Sequence, residues 1–143
     1  MKIIMTDYPP PASGFDINPL TWVIYDHGEM GFRSGYWAGQ RFCEQGKDNL
    51  KVAMFWGPAA SEISQARGGG VLRGLEQAAS ECGNSFEVVE EVYADFNREK
   101  AFNFAETVAT AHPDLDLAVG MNSNTALGIM QALKLQNRLE DVL

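Results

Sequence analysis

The chain has 143 residues, of which 45% are hydrophobic and 21% are charged, a composition typical of a single globular domain that can bury a core. Its formal net charge of −8 argues against nucleic-acid binding, which depends on basic patches, and against adhesion to acidic membranes. No apolar run approaches the roughly 20 residues of a membrane span, and the opening MKIIMTDYPPP has too short an apolar stretch for a signal peptide. Cys43 and Cys82 lack the spacing of a metal site, and two cysteines do not reveal the redox compartment.

The first part of the chain predicts two short strands and a helix that carries several glycines. The strands are residues 2–6 and 21–25, and three consecutive prolines make residues 7–19 a loop because proline excludes helix. The helix covers residues 28–45. Each glycine weakens a helix by roughly 1 kcal/mol, so we expect the glycine-bearing face to pack closely against another backbone. The glycines of this face, four residues apart, are Gly31, Gly35 and Gly39.

From residue 51 onward, predicted strands and helices alternate. Strands are expected at residues 52–56, 86–93 and 117–119, and helices at residues 66–81, 98–111 and from about residue 126. This alternation predicts an α/β fold of three layers, in which helices flank both faces of a parallel sheet with right-handed crossovers, as in flavodoxin-like sheets. Residues 138–143 resemble the approach to another strand. We therefore expect the sheet to be incomplete and the chain to be a piece of a longer protein.

Four small polar residues, Asn122 to Thr125, separate the last strand from the last helix. Asn, Ser and Thr are good N-cap residues because their oxygens accept hydrogen bonds from the free amides of the first helical turn. One cap needs only one such residue, however, and this edge of an open parallel sheet is where ligands bind. The residues alone leave both interpretations open, plain capping and a ligand site.

The chain offers little for catalysis, because a catalytic triad needs a positioned base and the only histidines are His27 and His112. His112 precedes a strand and is expected in a loop at the opposite edge of the sheet. His27 is expected to make a structural hydrogen bond, although a place in a cleft stays open. The glycines at 68–70 come about a dozen residues after a strand and lack the Lys-Ser/Thr of a phosphate-binding loop, so we reject that interpretation.

Arg67 and Phe96 each have a structural and a functional interpretation. An arginine near a helix N-terminus is disfavoured by the helix dipole by up to about 1 kcal/mol. Arg67 is therefore either a solvated surface residue or a bidentate partner of ligand hydroxyls or a carboxylate. Phe96, where a strand ends and a helix begins, either packs under a loop or offers an aromatic face to a sugar-like ring.

Residues 93–133 read YADFNREKAFNFAETVATAHPDLDLAVGMNSNTALGIMQAL. This segment resembles the C-terminal lobe of type I periplasmic binding proteins, the ribose-binding and autoinducer-2 receptor group. The shared pattern is A-D-F-[DN]-R, then A-H-P-D, then a polar run that ends in A-L-G. Residues 25–31, YDHGEMG, resemble the crossing from the N-lobe to the C-lobe that follows a hinge. The resemblance implies that residues 1–27 are the end of the N-lobe with the hinge crossing, and that residues 28–143 are a partial C-terminal lobe.

In this family the ligand lies between two lobes, at the strand ends. The resemblance implies a ligand-binding role for Arg67, which opens a motif similar to R-G-x-x-aromatic, and for Phe96, which falls on a stacking phenylalanine. It implies the same role for Asn122, which falls on a sugar-binding asparagine, and for its neighbours Ser123 and Asn124. No catalytic residue, metal or cofactor is implied.

Two departures from the family pattern affect these expectations. The helix is about one turn longer before Glu76, which leaves Arg73 as a competitor for the ligand-binding arginine. Ser123 replaces the usual aspartate, and Asn124 stands where some autoinducer receptors have aspartate. Because a carboxylate has become neutral, we expect weak binding of plain ribose. The preferred ligand would carry an acidic or strongly electronegative group, or would be one already compensated by residues of the N-lobe.

The sequence thus predicts a partial solute-binding protein of the periplasm, which binds a small polar ligand (sugar or autoinducer-2-like) without chemistry. Its partner would be a membrane ABC transporter or a sensor kinase, and not nucleic acid. One alternative is the effector domain of a cytoplasmic repressor of the LacI type, which shares the fold. A less favoured alternative is an enzyme on a flavodoxin-like sheet. An open sheet edge also predicts homo-oligomers, since such edges pair with other chains.

Overall fold

The computed structural model describes residue 2, residues 4–6 and residues 20–143, so the loop predicted for residues 7–19 lies outside the described residues. The elements in chain order are β1 (Ile4–Thr6), β2 (Thr21–Val23), α1 (His27–Glu44), β3 (Asn49–Trp56), α2 (Glu62–Cys82), β4 (Ser85–Tyr93), α3 (Arg98–Ala111), β5 (Leu117–Gly120) and α4 (Ser123–Leu135). Within these residues no helix is both long and apolar enough to cross a membrane.

The strands form two parallel sheets, of which the larger is the one that the alternation of elements from residue 51 onward predicts. β1 pairs with β2 in a two-stranded sheet, and β3 lies between β4 and β5 in a three-stranded sheet. The register of the larger sheet pairs Trp56 with Tyr93 and Phe55 with Gly120, with one irregularity between Val52 and Ala53. All three of its strands therefore end at the same edge.

Side chains of β3 alternate between two buried clusters, which makes the fold a three-layer α/β sandwich. The first cluster lies under α1 and α2 (the α1/α2 face) and comprises Ala38, Phe42, Leu50, Val52, Met54, Trp56, Val71, Leu75, Leu117 and Met121. The second lies under α3 and α4 (the α3/α4 face) and comprises Ala53, Phe55, Ala94, Ala101, Ala105, Val108, Ala109, Leu115, Ile129, Ala132, Leu133 and Val142. Burial on both faces explains why β3 is an almost uninterrupted apolar run.

Glycines bring α1 and α2 into backbone contact. A Cβ placed on Gly31 would lie 2.0 Å from the carbonyl oxygen of Arg67, and one on Gly35 would lie 2.0 Å from that of Val71. Gly74 of α2 makes the corresponding contact with the backbone of α1, because a Cβ on Gly74 would lie 2.2 Å from the carbonyl oxygen of Phe32. The close packing predicted for the glycine face is confirmed.

Helix α2 begins at Glu62, about four residues before the predicted start at residue 66. Its N-cap is Ser61, whose Oγ accepts a hydrogen bond from the backbone N–H of Ser64 at 3.2 Å. The glycines at 68–70 therefore lie inside a helix and not in a phosphate-binding loop. Gly83 ends the helix with φ of 74°, in the left-handed region that glycine adopts without strain.

One disulfide and one backbone pairing lie at the ends of these elements. Cys43 near the end of α1 and Cys82 at the end of α2 form a disulfide with 6.0 Å between their Cα atoms. At the other end of the described chain, Leu143 donates a backbone hydrogen bond to Asp116 at 2.9 Å and accepts one from Ala118 at 3.0 Å. This is a parallel pairing with the outer edge of β5, in agreement with the predicted approach to another strand.

Candidate functional site

Three of the residues that the sequence singles out lie at or beside the edge where the parallel strands end. Phe96 follows the end of β4 and Asn122 follows the end of β5. Arg67 reaches the same edge from α2, because its Nη1 donates a hydrogen bond to the carbonyl oxygen of Met121 at 3.0 Å. The structure therefore brings Arg67 directly beside Asn122.

Asn122 is the N-cap of α4. Its Oδ1 accepts hydrogen bonds from the backbone N–H and the Oγ1 of Thr125, each at 2.9 Å, and Thr125 is fully buried. Capping therefore accounts for the side-chain oxygen. Within residues 20–143 the Nδ2 of Asn122 has no hydrogen-bond partner, which leaves two N–H donors for another molecule. Ser123 and Asn124 form the exposed first turn of the helix.

Arg67 lies in the second turn of α2, so the expectation that it sits at the helix N-terminus is wrong, because the helix starts earlier. Its guanidinium is held from two sides. Besides the bond to Met121, the Nε donates to the Nδ1 of His27 at 3.3 Å, and the Nη2 lies 3.2 Å from the same nitrogen. His27 is 7% exposed at the start of α1. It thus makes the structural hydrogen bond that the sequence favours.

A cavity of about 330 Å³ opens where α1, α2 and the junction of β5 and α4 meet. Arg67, Asn122 and Ser123 all line it, whereas Asn124 does not. Its other lining residues are Met30, Gly31, Ser34, Val71, Val119, Gly120 and Met121. A small polar ligand in this cavity would meet a guanidinium, an amide and a hydroxyl against an apolar wall.

Phe96 lies at the same edge but does not line this cavity. Its ring packs on Gly57 just beyond β3, so closely that a Cβ on Gly57 would lie 2.3 Å from the ring Cζ. The ring is half-buried against the core of the α1/α2 face. Asp95 and Phe96 both have positive φ, 53° and 57°, and such left-handed conformations cost roughly 1–3 kcal/mol each in a residue other than glycine. This left-handed backbone places the ring at the strand ends, and the packing of the ring on Gly57 offsets part of its cost.

Arg73, the competitor for Arg67, lies elsewhere. Its guanidinium would be 3.5 Å from a Cβ on Gly28, and it lines a separate surface pocket with Phe32 and Glu76. Arg73 therefore does not share a cavity with Asn122. The structure favours Arg67 as the arginine of this edge.

The remaining ionisable candidates are remote from the cavity. His112 caps the end of α3 at the opposite edge of the sheet, with its Nε2 3.5 Å from the Oε2 of Glu90. Within residues 20–143 no three side chains of histidine, cysteine, aspartate or glutamate are grouped so that they could hold a metal ion.

Two contacts at this edge are not predicted from the sequence. The hydrogen bond between His27 and Arg67 joins residues 40 positions apart, and no local sequence pattern predicts it. Trp56 donates from Nε1 to the Oε2 of Glu91 at 2.8 Å, and its ring fills the space that a Cβ on Gly68 would occupy, 2.0 Å from Cζ3. Gly68 in the second turn of α2 leaves room for that ring, but its neighbours Gly69 and Gly70 hide this signal in the sequence.

Comparison with known proteins gives one family. The family described as periplasmic binding protein domain matches residues 30–143. The ribose import binding protein RbsB of Salmonella typhimurium is 31% identical over 97 residues, covering 68% of this chain and 31% of RbsB. RbsB of Haemophilus influenzae is 28% identical over 104 residues, covering 73% of this chain and 34% of its own.

Solved structures show the same fold. An ABC transporter periplasmic solute-binding protein from Actinobacillus succinogenes, with bound D-allose, superposes with a TM-score of 0.77 at 23% identity, covering 99% of this chain and 48% of that one. The fructose-binding periplasmic domain of a hybrid two-component system superposes with a TM-score of 0.79 at 18% identity, covering 99% and 43%.

The chain spans about a third of the length of the curated relatives, 31% and 34%, and less than half of these solved structures, 48% and 43%. The family is one of binding proteins. Because its match runs from residue 30 to residue 143, well over half of the sequence, the chain belongs to the periplasmic-binding-protein domain family.

Proposed function

We propose that this chain supplies one wall of a ligand cleft in a solute-binding protein, and that the cleft holds a small polar ligand such as a sugar without altering it chemically. The observation that carries the proposal is the cavity at the carboxyl edge of the sheet, lined together by Arg67, Asn122 and Ser123. This edge is the usual ligand position in open α/β sheets. Relatives named for ribose import and a neighbour with bound D-allose support a sugar.

Phe96 has a secondary place in this proposal, and Asn124 has none. Phe96 lies at the same edge outside the cavity, so it would contact a ligand only where that ligand extends toward Gly57. Asn124 is exposed and outside the cavity lining. The proposed division assigns residues 28–143 to the C-terminal lobe and residues 1–27 to the end of the N-lobe and the hinge crossing.

The disulfide supports a periplasmic location. Disulfides persist in oxidising compartments and are rare in the cytosol, so the bond between Cys43 and Cys82 favours a periplasmic protein over the cytoplasmic repressor. The partner would be an ABC transporter, as the name of the ribose import relatives suggests, or a sensor kinase, as the hybrid two-component neighbour suggests.

The outer edge of β5 supports the proposal of self-association. A groove of about 570 Å³ runs along this edge, with Trp37, Val71 and Leu143 in its lining, and Trp37 is 55% exposed. Among the described residues, Leu143 makes backbone hydrogen bonds only with Asp116 and Ala118, at the start of this edge, and strand edges that are left open pair with other chains. Light scattering of the purified chain should detect dimers or larger species, and a strictly monomeric, well-folded chain would contradict this part of the proposal.

Ligand binding can be tested even if the affinity of one wall is low, because NMR titration detects weak binding. We expect D-ribose, D-allose or D-fructose to shift the side-chain amide signals of Asn122 and the Nε–H signal of Arg67, with no conversion of the sugar. Asn122→Ser keeps a capping oxygen and removes the Nδ2 donors, so it should weaken binding about five-fold.

The matched control is Asn97→Ser. Asn97 caps α3 in the same way, accepting from the backbone N–H of Lys100 at 3.0 Å, but it does not line the cavity. Its replacement should leave the affinity unchanged. Equal effects of the two variants would show that Asn122 acts only as a cap, and chemical turnover of a sugar would revive the enzyme alternative.

A further inference from the structure

The charges around the cavity are unbalanced. Among its lining residues Arg67 is the only charged side chain, and none is aspartate or glutamate. Arg67 is half-buried, and within residues 20–143 it has no carboxylate within ion-pair distance. A guanidinium in this setting is less screened than one in water and gains from an anionic partner.

The groups that hold Arg67 are neutral acceptors. The carbonyl oxygen of Met121 takes one N–H of Nη1, and the Nδ1 of His27 takes the Nε–H and lies within reach of one N–H of Nη2. A guanidinium has five N–H groups, so these contacts use three and leave two, one on each terminal nitrogen. The contacts fix the guanidinium in position without satisfying its charge.

The rest of the polar lining suits hydroxyl groups. The unpartnered amide donors of Asn122 and the hydroxyl of Ser123 lie in the same cavity as the guanidinium. A guanidinium with two spare N–H groups matches the two oxygens of a carboxylate, and such charge-assisted pairs are about twice as strong as neutral hydrogen bonds. The cavity thus offers one place for an acid group and a neighbouring place for hydroxyls.

We propose that the ligand of this cavity is a polyhydroxy acid, with its carboxylate against Arg67 and its hydroxyl groups against Asn122 and Ser123. This inference rests on the proposed function and specifies its ligand class. It also means that a neutral sugar of the same size leaves the charge of Arg67 uncompensated.

The test compares D-ribonate with D-ribose by NMR titration of the purified chain, because both are polyhydroxy compounds of five carbons and only D-ribonate carries a carboxylate. We expect D-ribonate to bind about five- to ten-fold more tightly than D-ribose, with the Arg67 Nε–H and Asn122 amide signals moving together. Acetate should bind more weakly than D-ribonate because it lacks the hydroxyl groups.

Two variants make the test specific. Ser123→Asp puts a carboxylate into the cavity lining and should reverse the preference, so that D-ribose binds more tightly than D-ribonate. Asn124→Asp adds the same charge on the same helical turn but outside the lining. It should leave the preference unchanged.

The outcomes separate this inference from the proposed function. Tighter binding of D-ribose by the unmodified chain, or equal effects of the two aspartate variants, would overturn the acid preference while the sugar-binding function stands. Acetate binding as tightly as D-ribonate would also overturn it, because the site would then recognise only an anion. Absence of binding by all three probes would overturn the proposed function together with the inference.

Discussion

The two helix pairs that cover the sheet pack in different ways. On the α1/α2 face, helix backbones touch at successive glycines, and a disulfide joins the helix ends. On the α3/α4 face, Gly128 makes one such approach, its Cβ position lying 2.3 Å from the carbonyl oxygen of Arg98. The buried side chains of α3 and α4 include four alanines, Ala101, Ala105, Ala109 and Ala132.

This difference bears on the candidate site. Arg67 and His27, which meet across the α1/α2 pair, lie on the helices whose separation is set by backbone contact. Side-chain packing can adjust to a substitution by changing rotamers, whereas two backbones in contact can only move apart. The face that positions the guanidinium is therefore the one with less freedom to adapt.

Gly35→Ala is expected to have the largest effect among the substitutions that test this difference between the two faces. The new methyl group would lie 2.0 Å from the carbonyl oxygen of Val71, so α1 and α2 would have to separate. We expect the free energy of unfolding to fall by about 3 kcal/mol or more, at the upper end of overpacking effects. Urea denaturation measures this loss.

Gly69→Ala is the matched control for that substitution. Gly69 also lies within the helix pair, on α2, but its nearest atom is the end of the Arg73 side chain at 3.8 Å. Alanine should therefore raise helix stability by up to about 1 kcal/mol. If Gly35→Ala were tolerated as well as Gly69→Ala, the contrast between the two faces would not hold.

Removal of the disulfide should have the next largest effect. The double variant Cys43→Ala, Cys82→Ala releases a cross-link between residues 39 positions apart, and we expect a loss of roughly 2–4 kcal/mol. A reducing agent should lower the stability of the unmodified chain by a similar amount and leave the double variant unchanged. A chain whose stability does not respond to the reductant would show that the disulfide is not needed to hold α1 against α2.

The smallest expected effect comes from a hydrogen bond between exposed side chains of α1 and α2. In this bond Tyr36 Oη donates to Glu81 Oε2 at 2.7 Å. This bond raises the pKa of Tyr36 above its ordinary 10.0. Hydrogen bonds from Gln77 and then Tyr36 lower the pKa of Glu81 below its ordinary 4.5. The contact should thus contribute fully between those ordinary values, fade as the pH falls through the lowered pKa of Glu81, and fade as it rises through the raised pKa of Tyr36.

Tyr36→Phe tests this pH window. The difference in urea midpoint between the unmodified chain and the variant should be small, present near neutral pH, and absent at both extremes. Because the variant keeps the ring that stacks on Phe32 at 6.0 Å between ring centroids, a difference that persists in acid would mean that the hydroxyl acts through something other than its bond to the charged Glu81.

Local patterns in the sequence predict most of the fold. The bounds of α3 agree with Arg98–Ala111, because an asparagine cap precedes an apolar periodicity that His112 and Pro113 end. The sequence predicts the start of α2 about four residues too late, because Ser61 caps the helix earlier. Tertiary contacts, and not local propensity, account for two of the glycines at 68–70: the Trp56 ring occupies the Cβ position of Gly68, and the carbonyl oxygen of Gly28 lies 2.2 Å from that of Gly70.

The candidate site is predictable only in part. The polar run after β5 and its cap follow from residue types, and Asn122 is found there. The neutral acceptors of Arg67 are not predictable, because His27 is 40 positions away and Met121 contributes a backbone oxygen. The pairing of Cys43 with Cys82 also depends on how α1 and α2 lie in space. The position of Phe96 outside the shared cavity depends on the left-handed backbone of two residues.

The disulfide has a consequence for the order of folding events. The loop that it closes, residues 43–82, contains β3 and α2, whereas β4 and β5, the sheet partners of β3, come later in the chain. Closing a loop of this length costs the unfolded chain entropy that grows only slowly with length, and the glycine contacts between α1 and α2 bring the two sulfurs together. Oxidation can therefore precede completion of the sheet. We expect a refolding intermediate that already holds the disulfide and the α1/α2 pair while β3 still lacks both of its neighbours.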